Sequence, residues 1–111
     1  MDKQTKEIFC ITQEECAEVT QAISKIFRFG FDSVHPITGK SNMDSLQEEV
    51  GDLLAMIDIL VEKCIISDSS INAARQAKKE KLKIICSTMI KTHAISRFDI
   101  MQHYVIKEIE C

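Results

Sequence analysis

Five acidic residues stand in two short patterns whose spacing suits the binding of a cation. Glu14, Glu15 and Glu18 form the pattern E-E-x-x-E, and Glu49 and Asp52 form the pattern E-x-x-D. Residues three apart lie on the same face of an α-helix, because each residue advances about 100° around the axis. Each pattern therefore predicts a pair of carboxylates that project from one side of a helix.

Both acid pairs fall on or beside the apolar side of the helix predicted to carry them. A carboxylate that loses water without gaining a partner is destabilised, or it binds a proton. A hard divalent cation such as Mg²⁺ relieves this cost, because its preferred ligands are oxygen atoms and substrate phosphates often complete its shell. We therefore predict that Glu15, Glu18, Glu49 and Asp52 form a metal site. The predicted stripes contain Ile8, Ile11, Ala22 and Ile26 on the first helix, and Leu46, Leu53, Met56, Ile57 and Leu60 on the second.

Two other interpretations of the acid pairs are simpler or better known. A single E-x-x-E pattern usually marks a solvated helix face, but here two such patterns lie on the apolar stripes of consecutive helices. A di-iron carboxylate site usually needs Glu-x-x-His, and no histidine follows either pattern. His35, His93 and His103 are better explained as surface or structural residues.

The elements that must position these acids are helical. Apolar residues at three- and four-residue spacings predict helices over about 4–28, from 42–45 to about 64, and over 71–85. Ser45 with Glu48 is one of several capping patterns that fit the start of the second helix. A loop over 29–41 contains Gly30, Pro36 and Gly39, and a short fourth helix is predicted after Asp99. The predicted fold is an all-α bundle of three core helices plus this short C-terminal helix.

Length and composition fit a single small domain. The chain has 111 residues with 45% hydrophobic and 28% charged residues, and we divide it into a catalytic region over 1–85 and a C-terminal extension over 86–111. The net charge of −3 argues against nucleic acid as a partner, and no apolar run is long enough to span a membrane. The N-terminus lacks the apolar segment of a signal peptide, and the five cysteines form no C-x-x-C pair. We expect a cytoplasmic protein with free thiols.

The two acidic patterns, in this helical order, resemble the signature of the MazG-like all-α nucleoside triphosphate pyrophosphohydrolases. Relatives in that superfamily include dimeric dUTPases, dCTP pyrophosphatases and phosphoribosyl-ATP pyrophosphatases. The resemblance covers residues 8–85, including QAISKIFRFG, GDLLAMIDIL and the basic segment ARQAKKEKLK. The chain resembles small phage-encoded members in particular, and this resemblance would suit a role in the control of the dNTP pool within a host cytoplasm.

The resemblance implies an activity, a cofactor and an assembly. It implies that Mg²⁺ or Mn²⁺ is held by Glu15, Glu18, Glu49 and Asp52, and that an NTP or dNTP is converted to the monophosphate and pyrophosphate. Glu14 matches the first glutamate of the motif, which is a ligand or orients the attacking water. Family members are dimers or tetramers in which neighbouring subunits complete each site, so a homodimer or homotetramer is expected.

The other candidate site residues would accept the proton of the attacking water or bind the phosphates of the substrate. Glu14 or Glu49 is the expected general base, because a glutamate not fully used in ligation can accept the proton of water. Lys25 and Arg28 end the first helix, and Lys78 and Lys81 border the apolar stripe of the third, so all four are candidates to bind phosphate. A solvated charged face is the simpler explanation for KKEKLK. Two further residues, Phe29 and Phe31, either stack on a base or anchor the loop.

The sequence departs from the family pattern in two places. Thirty residues separate the acidic patterns, at or just past the usual upper limit, and the third helix lacks an asparagine that often follows the phosphate-binding lysine. Both departures leave the preferred base undetermined.

A non-catalytic helical module whose acids bind a basic partner is the first alternative to the enzyme function. A nucleic-acid-binding domain is the second, and the sequence pI of about 5.6 argues against it.

Overall fold

Three α-helices account for the fold of the residues that the structure describes. The structure is a computed structural model that describes the backbone of residues 1–93 and the side chains of residues 1–85. The helices are α1 (Lys3–Phe29), α2 (Asn42–Glu62) and α3 (Asp68–His93). The described residues contain no strand, only an isolated bridge between Val34 and Ser41, so the all-α class is confirmed. The chain divides after Ser67 into two compact units.

Short polar caps fix both ends of α1. Asp2 precedes the helix, and its carboxylate accepts a hydrogen bond from the Thr5 backbone N–H at 2.7 Å. Gly30 ends the helix with φ of 87°, a value that residues with a Cβ rarely adopt, and its N–H donates to the Ile26 carbonyl. The observed helix extends the predicted range by one residue at each end.

The structure selects one of the several capping patterns that fit the start of α2. Ser41 is the N-cap residue, and it exchanges hydrogen bonds with Asp44 in a capping box. The Ser45 and Glu48 pattern therefore lies inside the helix. The bridge from Ser41 to Val34 holds Ser41 extended, which is the backbone conformation that an N-cap needs.

A small apolar core joins the two long helices into an antiparallel hairpin. Ile8 near the start of α1 packs with Met56 and Leu60 near the end of α2. Ala22 is also buried, and Ile59, Ile65 and Ile66 pack against the cluster. Ile11, which we expected to face inward, is 39% exposed because it lies to one side of the stripe defined by Ile8.

The third helix is longer than predicted. It runs from Asp68 through His93, so it crosses the predicted end at residue 85, and the first residues of the C-terminal extension continue it. No glycine or proline occurs between Asp68 and His93, so nothing in this segment breaks a helix. The short helix predicted after Asp99 lies outside the described residues. No described helix is long and apolar enough to cross a membrane.

Candidate metal centre

The α1–α2 hairpin brings three carboxylates from the two acidic patterns together. Glu15 from α1 and Glu49 and Asp52 from α2 each offer an oxygen atom, and these atoms all lie within 4.8 Å of one another. Glu15 follows the core residue Ile8 by two helical turns, and Glu49 precedes the core residue Met56 by two turns. The apolar stripes that form the core therefore also carry these acids to the contact between the helices.

The two central glutamates are more enclosed than the other acids. Glu15 and Glu49 are half-buried, whereas Glu14, Glu18 and Asp52 are exposed. We expected Glu18 to lie on the buried stripe, and the structure corrects this. Glu18 is exposed at the edge of the contact with α2, because three residues advance about 300° and leave it 60° from Glu15, and it lines a cleft there with Glu49.

Mutual repulsion and lost hydration act together on Glu15 and Glu49. Partial burial is the largest cause that raises the pKa of Glu15, followed by the charges of Asp52, Glu18 and Glu14. Partial burial also leads for Glu49, whose pKa is raised further by the charges of Glu18, Asp52, Glu15 and Glu48. Both shifts have the same physical cause, which is that the fold gathers negative charge where hydration is reduced.

These shifts predict how the stability of the metal-free protein depends on pH. A carboxyl with a raised pKa in the folded state binds its proton more tightly there than in the unfolded chain. The free energy of unfolding should therefore fall as pH rises from the ordinary pKa of glutamate through the raised values of Glu15 and Glu49. Urea titrations in EDTA should show Glu49→Gln gaining stability relative to wild type over this window. A constant difference between the two proteins across the window would contradict the prediction.

The oxygen-only composition of the cluster fits a hard divalent cation. No histidine or cysteine belongs to the group, so soft or borderline metals have no preferred ligand in it. Carboxylates at this mutual distance, with raised pKa values, are stabilised when a cation binds among them. The donor set therefore suits Mg²⁺ or Mn²⁺ better than Zn²⁺ or iron.

A small cleft continues from the acids toward the loop end of the hairpin. Its volume is about 90 Å³, and Glu18, Lys25 and Glu49 are among its lining residues. Asn42 and Ser45 complete the opposite wall at the start of α2. Of the four residues predicted to bind phosphate, Lys25 lines this cleft together with Glu18 and Glu49. Sequence reasoning missed Asn42 and Ser45, although pairing the end of α1 with the start of α2 would have indicated them.

The other predicted site residues lie outside the three-carboxylate group. Glu14 is exposed on α1 and is not one of the three carboxylates. Its negative charge contributes to the raised pKa of Glu15. The guanidinium carbon of Arg28 lies 5.4 Å from the centre of the Phe29 ring. Lys78 and Lys81 are exposed on α3, in the second compact unit.

Glu48 differs from its neighbour Glu49 in direction and partner. We expected Glu48 to point toward solvent, and it is exposed, but its carboxylate forms an ion pair with Lys40 of the loop. The hydrogen bond with Glu48 is the largest cause that raises the pKa of Lys40 above its ordinary value. This pair ties the loop to α2 and keeps Glu48 out of the carboxylate group.

The fold and the site define a class of small all-α proteins in which two antiparallel helices bring paired carboxylates to one cleft. The family model of the MazG nucleotide pyrophosphohydrolase domain matches residues 3–85, and the chain belongs to this family. Membership indicates, at the level of the family, nucleotide pyrophosphohydrolase activity. Searches of curated proteins and of solved structures find no match to this chain.

Proposed function

We propose that the protein hydrolyses a nucleoside or deoxynucleoside triphosphate to the monophosphate and pyrophosphate, and that it requires Mg²⁺ or Mn²⁺. The observation that carries this proposal is the meeting of Glu15, Glu49 and Asp52 within 4.8 Å, in a domain of a nucleotide pyrophosphohydrolase family. A triphosphate and a carboxylate cluster repel each other, so a cation between them is chemically necessary.

In this proposal the acids of both helices hold the cation. Glu15, Glu49 and Asp52 supply its ligands, and Glu18 at the edge of the cleft is placed to reach it. When bound, such a cation neutralises phosphate charge and makes water at the site more acidic. The chain itself fixes the ligands in advance, because two core-anchored helices set their spacing.

The chemical step we propose is attack of water on the α-phosphorus. The water oxygen forms a bond to the α-phosphorus as the bond from the α-phosphorus to the bridging oxygen breaks, and pyrophosphate leaves. Glu49 or Glu14 accepts the water proton. Glu49 is the better candidate, because it belongs to the three-carboxylate group, whereas Glu14 is exposed outside that group.

Lys25 is proposed to bind the triphosphate. It shares the cleft with Glu18 and Glu49, so its ammonium group can offset phosphate charge next to the cation site. We expect Lys25→Met to raise KM about tenfold with a smaller effect on kcat, as for the loss of a charged hydrogen bond made in both ground and transition states. Lys6→Met, an exposed change near the start of α1, is the matched control. Equal KM values for the two variants would remove Lys25 from the binding site.

We also propose that the protein acts as a homodimer or homotetramer. On the α1–α2 hairpin, large apolar side chains are exposed to solvent, among them Phe9 (37%), Val50 (38%), Ile23 (40%) and Leu54 (51%). Burial of such side chains by a second copy would stabilise the assembly. Light scattering at assay concentrations should show no monomer, and Leu54→Glu should dissociate the assembly. An active wild-type monomer would contradict this proposal.

The proposed function is tested by product analysis with a panel of NTPs and dNTPs. With Mg²⁺ or Mn²⁺ present, at least one substrate should yield equal amounts of monophosphate and pyrophosphate. Diphosphate and orthophosphate as products would mean that the bond between the β- and γ-phosphates is cleaved, which would contradict attack on the α-phosphorus. No turnover of any nucleotide with either metal would favour the non-catalytic interaction module.

A further inference from the structure

The α1–α2 hairpin is packed more closely at one end than at the other. The described residues contain four buried apolar side chains, and three of them, Ile8, Met56 and Leu60, lie together near the start of α1 and the end of α2. Of the four, Ala22 alone lies toward the loop, and its side chain is a single methyl group that borders the cleft of about 90 Å³. Apolar packing therefore holds the helices together less at the loop end than at the other end.

Hydrogen bonds join the helices at the loop end. The side-chain N–H₂ group of Asn42 donates to the Gly30 carbonyl at 2.9 Å, and its backbone N–H donates to the Ser33 carbonyl at 3.0 Å. The Met43 N–H donates to the Phe31 carbonyl at 3.2 Å. Asn42 is the first residue of α2 and Gly30 is the C-cap of α1, so the side-chain bond connects the two helix ends directly.

The tip of the loop has hydrogen bonds of its own. The Nδ1 atom of His35 accepts from the backbone N–H groups of Ile37 and Thr38, at 3.2 and 3.3 Å, and the His35 N–H donates to the Lys40 carbonyl at 2.9 Å. These bonds lie within residues 35–40, so they shape the tip without joining α1 to α2. The connection between the helix ends depends instead on the bonds at the start of α2.

The carboxylates lie between the apolar core and this hydrogen-bonded junction. Glu15 follows the core residue Ile8 by two helical turns, and Glu49 follows Asn42 by two turns. The like charges of Glu15, Glu49 and Asp52 repel one another across the contact between the helices. This repulsion acts to separate α1 from α2, and the hydrogen bonds at the loop end oppose the separation.

We propose that Asn42 is a positioning residue for the cation site, because its bond to Gly30 keeps the carboxylates of the two helices at binding distance. This inference rests on the proposed function, which assigns the cation to these carboxylates. Without the bond, the fraction of molecules whose ligands are correctly spaced falls, and the apparent affinity for the cation falls by the same factor. The loss of one hydrogen bond corresponds to about a threefold to tenfold change.

Two variants remove the bond from opposite sides. Asn42→Leu replaces the donor by an apolar group of similar size. Gly30→Ala disfavours φ of 87° and should turn the carbonyl away from Asn42, and the added Cβ meets no atom within 4 Å. Gly30 does not line the cleft, so weaker binding in this variant cannot come from a lost contact with the cation. Asn72→Leu, the same substitution at an exposed position of α3, is the matched control.

The Kd for Mn²⁺ is measured by electron paramagnetic resonance of the free ion, with circular dichroism to verify that each variant is folded. Asn42→Leu and Gly30→Ala should each raise Kd about threefold to tenfold, whereas Asn72→Leu should bind as wild type does. The double variant should show no more than the larger single effect, because both changes remove the same bond.

Three results would overturn the proposal. The first is an unchanged Kd in Asn42→Leu, which is expected if the bond stabilises the fold without positioning the ligands. The second is an unchanged Kd in Gly30→Ala, and the third is additive effects in the double variant, because either would mean that Asn42 acts independently of Gly30. No binding of Mn²⁺ by the wild-type protein would instead overturn the proposed function.

Hydrogen exchange in the wild-type protein gives a second readout that needs no substitution. If the junction strengthens cation binding, the cation must strengthen the junction by the same factor. Saturating Mg²⁺ should therefore slow exchange of the Asn42 and Met43 backbone amides more than that of Lys63 and Cys64, which donate to carbonyls at the other end of α2. Equal slowing at both ends, or none at Asn42 and Met43, would overturn the proposal even if the variants failed to fold.

Discussion

Replacement of Glu49 by glutamine should reduce kcat by about 10²–10⁴-fold, the range expected when a general base is lost. Glu49 is also one of the three carboxylates that meet within 4.8 Å, so the same change removes a proposed metal ligand. Glutamine keeps the size of the side chain, and Glu49 is only half-buried, so the helices should pack as before. The metal-free variant should be at least as stable as wild type, because repulsion from Glu18, Asp52 and Glu15 is reduced.

The best matched control for this variant is Asp58→Asn. Asp58 is an exposed acid on α2, outside the carboxylate group, and should be replaceable without loss of turnover. Glu48 is a less suitable control, because its ion pair with Lys40 ties the loop to α2, although exposed pairs contribute only about 0–1 kcal/mol. Equal losses of activity in Glu49→Gln and Asp58→Asn would mean that charge on α2, rather than a specific site, supports turnover.

Removal of divalent metal should abolish hydrolysis and lower the melting temperature, while the helices remain formed. The apolar cluster of Ile8, Met56 and Leu60 holds the hairpin without metal, so far-ultraviolet circular dichroism should be nearly unchanged in EDTA. Binding to the folded state alone stabilises it by about 2.7 kcal/mol at a free metal concentration of one hundred times Kd. A rise in Tm on the order of 10 °C should result for a chain of this length.

Restoring Mg²⁺ in excess over EDTA is the control for this experiment, and it should recover both activity and Tm. In Glu49→Gln the metal-dependent rise in Tm should shrink, whereas Asp58→Asn should show the wild-type rise. Turnover in EDTA at the wild-type rate would exclude the proposed role of the cation. Loss of helical structure in EDTA would instead mean that the metal is needed to fold the hairpin.

The positions of the helices and of the central acids follow from local patterns in the sequence. The limits of α1 were predicted to within one residue, because the spacing of its apolar residues indicates its length and Gly30 marks its end. The pairing of Glu15 with Glu49 was predicted because both residues share a stripe with a core residue. The sequence left several caps for α2 open, because the bridge between Val34 and Ser41 that holds the N-cap extended forms only in the folded loop.

Features that depend on tertiary contacts were beyond sequence reasoning. Ile11 and Glu18 were placed inward on a stripe drawn too wide, and only contact between α1 and α2 shows how narrow the buried face is. The role of His35 in shaping the loop depends on two backbone donors that a linear pattern does not show. The shape of the loop also depends on hydrogen bonds to the start of α2, where the backbone N–H groups of Asn42 and Met43 donate to the Ser33 and Phe31 carbonyls.

We claim above all that the carboxylates of α1 and α2 form one binding site for a divalent cation. Paramagnetic mapping tests this claim most directly. Substoichiometric Mn²⁺ broadens the amide signals of nearby residues, so the broadening locates the ion without nucleotide or turnover. It should centre on Glu15, Glu49 and Asp52, remain in Asp58→Asn, and largely disappear in Glu49→Gln. Broadening centred elsewhere, or an unchanged pattern in Glu49→Gln, would contradict the claim.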